Sequence, residues 1–214
     1  MTRRRRWILS VGVVVVLAVL LATLVRVFAA DIYTVNQVSM EPTLNDGERM
    51  LVVKDYPGAH GVQTGDVVVF DGEGSFDPYQ GGPSLSRSLE RIGHWVGIGS
   101  PPGVYVKRVI GSEGDLVVCC DETGHLTVNG EQLIEPYLDY QISPATPASE
   151  MSFEARVPAG RMWVMGDNRE ASVDSRDLLG APGGGMISQD RIIGRATQVI
   201  WPWGERRKLE GDTQ

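Results

Sequence analysis

The sequence predicts a mostly β fold, an irregular antiparallel sandwich or barrel-like domain, carried behind one N-terminal transmembrane helix. Three observations lead there. Residues 7–25, WILSVGVVVVLAVLLATLV, form an unbroken run without a charge. Beyond them, short β-branched runs alternate with turn signals. The 26 Gly and 12 Pro among 214 residues favour turns and short strands over long helices.

The helix comes first in the chain. At ~1.5 Å per residue, the run 7–25 covers most of a ~30 Å hydrocarbon core. Arg26 follows, but VFAA extends the apolar stretch, and a long Arg side chain snorkels to the interface. Arg3, Arg4, Arg5 and Arg6 precede it and place the N-terminus on the cytoplasmic side. A cleaved leader is the rival reading, with Ala29 and Ala30 as its small-residue site. Leader apolar regions run ~7–15 residues, shorter than this one, which favours a retained anchor. The expected organisation is a basic cytoplasmic segment 1–6, an anchor 7–30 and an extracytoplasmic domain 31–214.

The charges support that division. The net charge is −7, yet the first thirty residues hold five Arg and no acid. The remainder carries 15 basic against 27 acidic residues, a net −12. Such a domain lacks the clustered Lys and Arg that nucleic acid requires, so nucleic-acid partners are excluded. An extracytoplasmic location permits disulfides. The two cysteines, Cys119 and Cys120, are neighbours. A vicinal bridge, two unpaired thiols and an intermolecular bond all fit the sequence. With no further Cys and no CxxC spacing, a zinc site does not fit.

Strands are expected at MLVVKDY (50–56), DVVVFDG (66–72), VYVKRVIG (104–111), DLVVCC (115–120), HLTVNG (125–130), RMWVMGD (161–167) and RATQVIWPW (195–203). Asn129-Gly130 signals a type I′ hairpin. Residues 73–103 read as a Gly/Pro/Ser-rich insertion. Leu85, Leu89, Ile92 and Val96 mark a short helix within it. Segments 142–150 and 180–185 read as loops. Trp201 and Trp203 suit either a membrane interface or, for Trp201, the core.

Four blocks stand out: SMEPTL (39–44), GDVVVF (65–70), KRVIGSEGD (107–115) and GDNREASVDSR (166–176). Taken singly, each has a plain structural role as a turn, a strand or a polar loop. Their order and combination, behind an N-terminal anchor, resemble the bacterial type I signal peptidases over nearly the whole chain. That resemblance implies a serine endopeptidase that removes N-terminal signal peptides from exported preproteins through an acyl-enzyme. By position, Ser39 matches the nucleophile and Lys107 the general base. Ser172 matches a hydroxyl that orients the Lys amine. Asp174 and Arg176 match an ion pair near the site, and Asp167 and Arg108 match supporting charges. Met40, Pro42 and Thr43 match the turn after the nucleophile. The implied partners are signal peptides and the lipid bilayer. No cofactor or metal is expected, and the chain is expected to act as a monomer. The resemblance also implies small residues, typically Ala, one and three positions before the cut.

The residues fit the implied chemistry. A serine hydroxyl needs a base to become a good nucleophile. A Lys amine serves as that base only when neutral, which burial beside apolar groups favours. Lys107 lies among β-branched and aromatic residues in VYVKRVI, and Arg108 should point to the opposite face of the strand. His60, His94 and His125 have no partner motif and read as loop or surface residues. One departure concerns the oxyanion. Many family members place Ser or Gly two residues before the nucleophile, where this chain has Gln37. The Ser39 N–H remains as a donor.

Three other readings compete less well. A self-cleaving repressor-type peptidase would be soluble and bind DNA. A catalytically dead scaffold would not keep both Ser39 and Lys107. A thiol redox protein would need a motif around Cys119 and Cys120 that the chain lacks.

Overall fold

In the computed structural model, the described residues are 3–58, 61–76, 101, 103–181 and 183–209. The helix marked by residues 85–96, together with His60 and His94, lies outside them.

Helix α1 spans Arg3–Phe28. Its apolar side chains, from Val11 to Phe28, are exposed on every side. A helix apolar all round, with none of the described residues covering it above its last turn, has the character of a membrane span. Its stretch Ser10–Phe28 is long and apolar enough to cross a bilayer, with mean hydropathy 2.8. The chain then turns directly into a strand. Arg26 Nε donates to Asp31 Oδ1 at 2.7 Å, and Lys54 Nζ donates to the Arg26 carbonyl at 2.8 Å. These bonds satisfy a C-terminal carbonyl of the helix and tie its last turn to the sheet.

Twelve strands follow: β1 (Ala30–Thr34), β2 (Arg49–Val53), β3 (Val67–Asp71), β4 (Val104–Gly111), β5 (Leu116–Cys119), β6 (Leu126–Val128), β7 (Glu131–Gln132), β8 (Phe153–Arg156), β9 (Arg161–Met165), β10 (Ile187–Ser188), β11 (Ile192–Trp201) and β12 (Arg207–Lys208). They form two sheets. The larger has the order β1-β2-β11-β3-β4-β9-β10, with β12 also on β11; the smaller has the order β7-β6-β5-β8. Every pairing is antiparallel. The larger sheet is an open path from β1 to β10, so it does not close into a barrel.

Sequence explains the order of burial. β3 reads VVVFD, with four successive residues buried. Val67 and Val69 enter one core cluster with Met40, Leu44 and Met50; Val68 and Phe70 enter another with Val109, Val164 and Ile187. A strand covered on both faces is apolar throughout rather than alternating. A third cluster, around Ile110, Leu126, Phe153 and Trp163, joins the small sheet to the large one. The ten-residue β11 shifts register between Ala196 and Gln198 and again between Val199 and Trp201. Such bulges bend a strand, here letting one strand serve β2, β3 and β12.

The expected type I′ turn is present: Asn129 and Gly130 both have positive φ, 56° and 86°, between β6 and β7. Cys119 and Cys120 form the vicinal disulfide, across a cis peptide. Trp201 and Trp203 are 46% and 67% exposed, so neither belongs to the core. His125 is half-buried in the turn before β6.

Candidate active site

The site forms where β4 passes between two loops that are distant in sequence. Side chains alternate along β4, so Lys107 and Arg108 leave opposite faces. Both faces are covered, and the two residues are only 1% and 2% exposed.

On the first face, Lys107 Nζ lies 2.7 Å from Ser39 Oγ. Ser39 opens a turn whose fixed points are Met40 and Leu44, both buried in the core under β1 and β2. The Leu44 N–H closes the turn on the Met40 carbonyl at 2.8 Å. Burial without a close carboxylate partner disfavours the ammonium form. It lowers the Lys107 pKa from 10.5 to about 8, with Asp174 opposing the shift and Arg176 assisting it.

On the second face, Arg108 makes a two-point ion pair with Asp167, Nε–Oδ1 2.9 Å and Nη2–Oδ2 2.7 Å. It also donates to the Gly65 carbonyl at 2.7 Å and to Thr43 Oγ1 at 3.3 Å. The expected supporting charges therefore couple the segment after β9 to the turn after Ser39.

The segment 166–176 is a web of internal bonds. Asp174 accepts from Gly166 N–H at 3.0 Å and from Arg176 Nε and Nη2 at 2.8 Å each. These bonds hold its carboxyl below the usual range although burial works the other way. Gly166 is required by close approach: a Cβ there would overlap the Ser39 carbonyl and Ser172 Oγ. Ser172 Oγ is sealed from solvent and has no hydrogen-bond partner among the described residues. It lies near enough to Asp174 to help lower that pKa, but short of good hydrogen-bond geometry. It does not bond Lys107, so the expected orienting contact is not formed here.

Four residues of this web escaped the sequence reading. Arg169 pairs with Glu135 and donates to the Gly166 and Ala148 carbonyls at 3.0 and 2.8 Å. Tyr137 OH donates to Glu135 Oε1 at 2.8 Å, and its ring lies 3.7 Å under the Arg108 guanidinium. Burial, then the Glu135 charge, push the Tyr137 phenol well above its usual pKa. Asn168 reaches back to the turn holding Ser39. No spacing rule links Glu135 to Arg169, because 34 residues separate them. Only the Glu-Pro-Tyr string after β7 hints at a purposeful turn.

A cleft of about 210 Å³ opens beside the pair, with Val35, Gln37, Ser39, Met40 and Val106 among its walls. Strand β9 pairs with β4 at Arg108, Val109 and Gly111 only, so the first half of β4, paired with β3 on one edge, has no β9 partner on the other and lines the cleft with Val104, Tyr105 and Val106. Gln37 thus stands at the site, although it is exposed.

A nucleophile beside a buried amine is an arrangement that can carry out acyl transfer. Residues 4–201 match the family described as signal peptidase, peptidase S26. The chain belongs to that family. Signal peptidase I of Bacillus licheniformis is 34% identical over 92% of this chain and 90% of its own length. Signal peptidase I T of Bacillus subtilis strain 168 is 36% identical over 93% and 88%. Signal peptidase I of Mycobacterium tuberculosis H37Rv is 37% identical over 96% and 78%. A crystal structure of a signal peptidase I from Enterococcus faecalis V583 aligns with TM-score 0.41 and 26% identity, over 64% of this chain and 97% of the other.

Proposed function

We propose that this peptidase removes signal peptides from exported preproteins with Ser39 as nucleophile and Lys107 as general base. One observation carries the reading: a buried Lys amine, its pKa lowered to about 8, within 2.7 Å of a serine hydroxyl. With Lys107 protonated, Nζ donates to Oγ. When Lys107 is neutral the bond reverses, and the amine accepts the hydroxyl proton. Ser39 Oγ then bonds to the scissile carbonyl carbon, and the proton passes to Lys107. The C–N bond breaks as Lys107 returns that proton to the leaving amine, which leaves an ester on Ser39. Water attacks the ester and gives one proton to Lys107; Lys107 passes it to Ser39 Oγ as the C–O bond breaks, which restores the serine and the neutral amine and frees a carboxylic acid that loses its proton to solvent.

The developing oxyanion needs donors. The Ser39 N–H has no acceptor among the described residues and is free for that task. Ser172 Oγ, buried against Gly166 next to the Ser39 carbonyl, makes no bond to Lys107 here and is left available for the orienting role that the resemblance assigns to it. Asp167, Arg108, Asp174 and Arg176 hold the loops in place. Substrate binds as an extended segment in the cleft along Val106, with small residues at the two positions whose side chains face its walls.

Helix α1 anchors the enzyme, with its four Arg inside and the peptidase domain outside. Trp201 and Trp203 lie at the Thr34 end of β1, not beside the last turn of α1, since Trp201 and Thr34 both align with Arg49. Exposed indoles there suit contact with the lipid interface.

The test is cleavage of a preprotein bearing an Ala-x-Ala site by the full-length protein in detergent. Wild type should cut once, after the second Ala. Ser39→Ala and Lys107→Met should be folded and inactive. A folded Ser39→Ala variant that still cleaves ends the scheme.

A further inference from the structure

The peptide unit joining Val38 to Ser39 is trans and planar, so its carbonyl and its N–H point in opposite directions. Holding one end aims the other. The N–H end is the oxyanion donor described above. The carbonyl end is held twice. The Glu41 N–H donates to it at 3.1 Å from within the same turn, and Asn168 Nδ2 donates at 3.2 Å from the loop after β9.

Asn168 also grips the next carbonyl: its backbone N–H donates to Ser39 O at 3.2 Å. One residue thus bridges the carbonyls on both sides of the nucleophile. Its amide orientation is decided by its neighbours. Oδ1 accepts the Ala171 N–H at 3.3 Å while Nδ2 faces the Val38 oxygen. A flipped amide would set donor against donor and acceptor against acceptor. A hydrogen bond to the carbonyl also polarises the peptide and makes the opposite N–H a better donor.

We propose that Asn168 is a positioning residue for acyl transfer: its side-chain amide fixes the plane of the Val38–Ser39 peptide and so aims the Ser39 N–H at the oxyanion. The inference rests on Ser39 being the nucleophile. It assigns Asn168 an effect on the transition state and none on substrate affinity or on the basicity of Lys107.

The experiment compares Asn168→Ala and Asn168→Asp with wild type as full-length protein in detergent. Asn168→Asp keeps the Ala171 contact and the backbone bond but loses the donor, so it carries the test should the Ala variant fold poorly. Losing an oxyanion donor outright costs about 10²–10³ in kcat, so loss of its aim should cost ~10–100-fold, more for Asp than for Ala. KM should stay within about threefold, and the pH at which activity half-rises should not move. A peptide aldehyde ending in Ala, which adds Ser39 to its carbonyl, should lose affinity by the same factor as kcat/KM. Binding of the uncleaved peptide should not change. Variants with wild-type kcat, or with weakened aldehyde and peptide binding alike, overturn the proposal. So does a displaced pH profile, which would place Asn168 behind the base. Ser39→Ala, assayed in parallel, separates the two claims. If it is inactive while the Asn168 variants match wild type, only this inference fails; if it still cleaves, the nucleophile itself is wrong.

Discussion

Replacing Lys107 with Met should abolish cleavage and make the peptidase domain more stable. The side chains are similar in length, so packing against Val68 and the turn at Ser39 is largely kept, while the buried charge is gone. A pKa lowered from 10.5 to about 8 corresponds to about 3 kcal/mol of strain placed on the ammonium form. Wild type carries that cost below pH ~8, where Lys107 is charged both folded and unfolded. Between about 8 and 10.5 the folded protein holds a neutral amine while the unfolded chain still binds the proton, so wild-type stability rises with pH. Losing the bond to Ser39 subtracts ~1 kcal/mol from the gain of the variant. The net expectation is ~2 kcal/mol at pH 7, or roughly 5 °C in Tm for a domain of this size. The advantage should shrink as the pH approaches 10. Urea unfolding followed by tryptophan fluorescence at pH 7 and pH 9.5 measures both. A variant less stable than wild type at pH 7, or a gap that does not narrow with pH, would refute the account of a desolvated lysine.

The same residue sets the activity profile: kcat/KM should rise about tenfold per pH unit below ~8 and level above it, read with a fluorogenic peptide; a flat profile would contradict a Lys base. Asp167→Ala strands the buried Arg108 guanidinium and should cost ~3–5 kcal/mol, seen as a fall in urea midpoint, whereas Arg191→Ala, at an exposed pair with Glu73, should change it by under about 1. Gly166→Ala pushes a methyl against the Ser39 carbonyl and should lower kcat at least tenfold, with stability measured on the same sample to show how much of the loss is unfolding.

The legible parts of the fold were those with a local physical signature. α1 showed as a charge-free run, β3 and β4 as β-branched stretches, and the turn at 129–130 as Asn-Gly. The helix nevertheless ends at Phe28, and Ala30 already belongs to β1, so the apolar run outlasts the helix. β1, β8, β10 and β12 were not expected, because ADIYT, FEAR, IS and RK are too short or too polar for period-two patterning. Nor does local sequence reveal β11 as the shared strand of the large sheet. For the site, the four blocks and their order carried Ser39, Lys107, Asp167 and Asp174, and the structure brings all four into one neighbourhood. Glu135, Tyr137 and Arg169 act across a buried ion pair whose members are distant in sequence. Such pairing leaves no trace in composition or periodicity. Ser172 is the reverse case: its block marks it, while its hydroxyl forms no bond with Lys107.

The junction between α1 and the sheet has a mechanical consequence. With Arg26 bonded to Asp31 and Lys54 capping the Arg26 carbonyl, no slack linker separates helix from strand. From Phe28 to Ser39 the chain spans at most ~40 Å fully extended, and much of that path is fixed in β1. If α1 spans the bilayer as proposed, the peptidase domain is the head of a post tied at this junction by those two bonds. If a thicker or thinner bilayer tilts α1, the whole sheet tilts with it, and the height and attitude of Ser39 above the lipid change together. On that proposal, bilayer thickness becomes a variable of catalysis, one that a flexibly tethered enzyme would not feel.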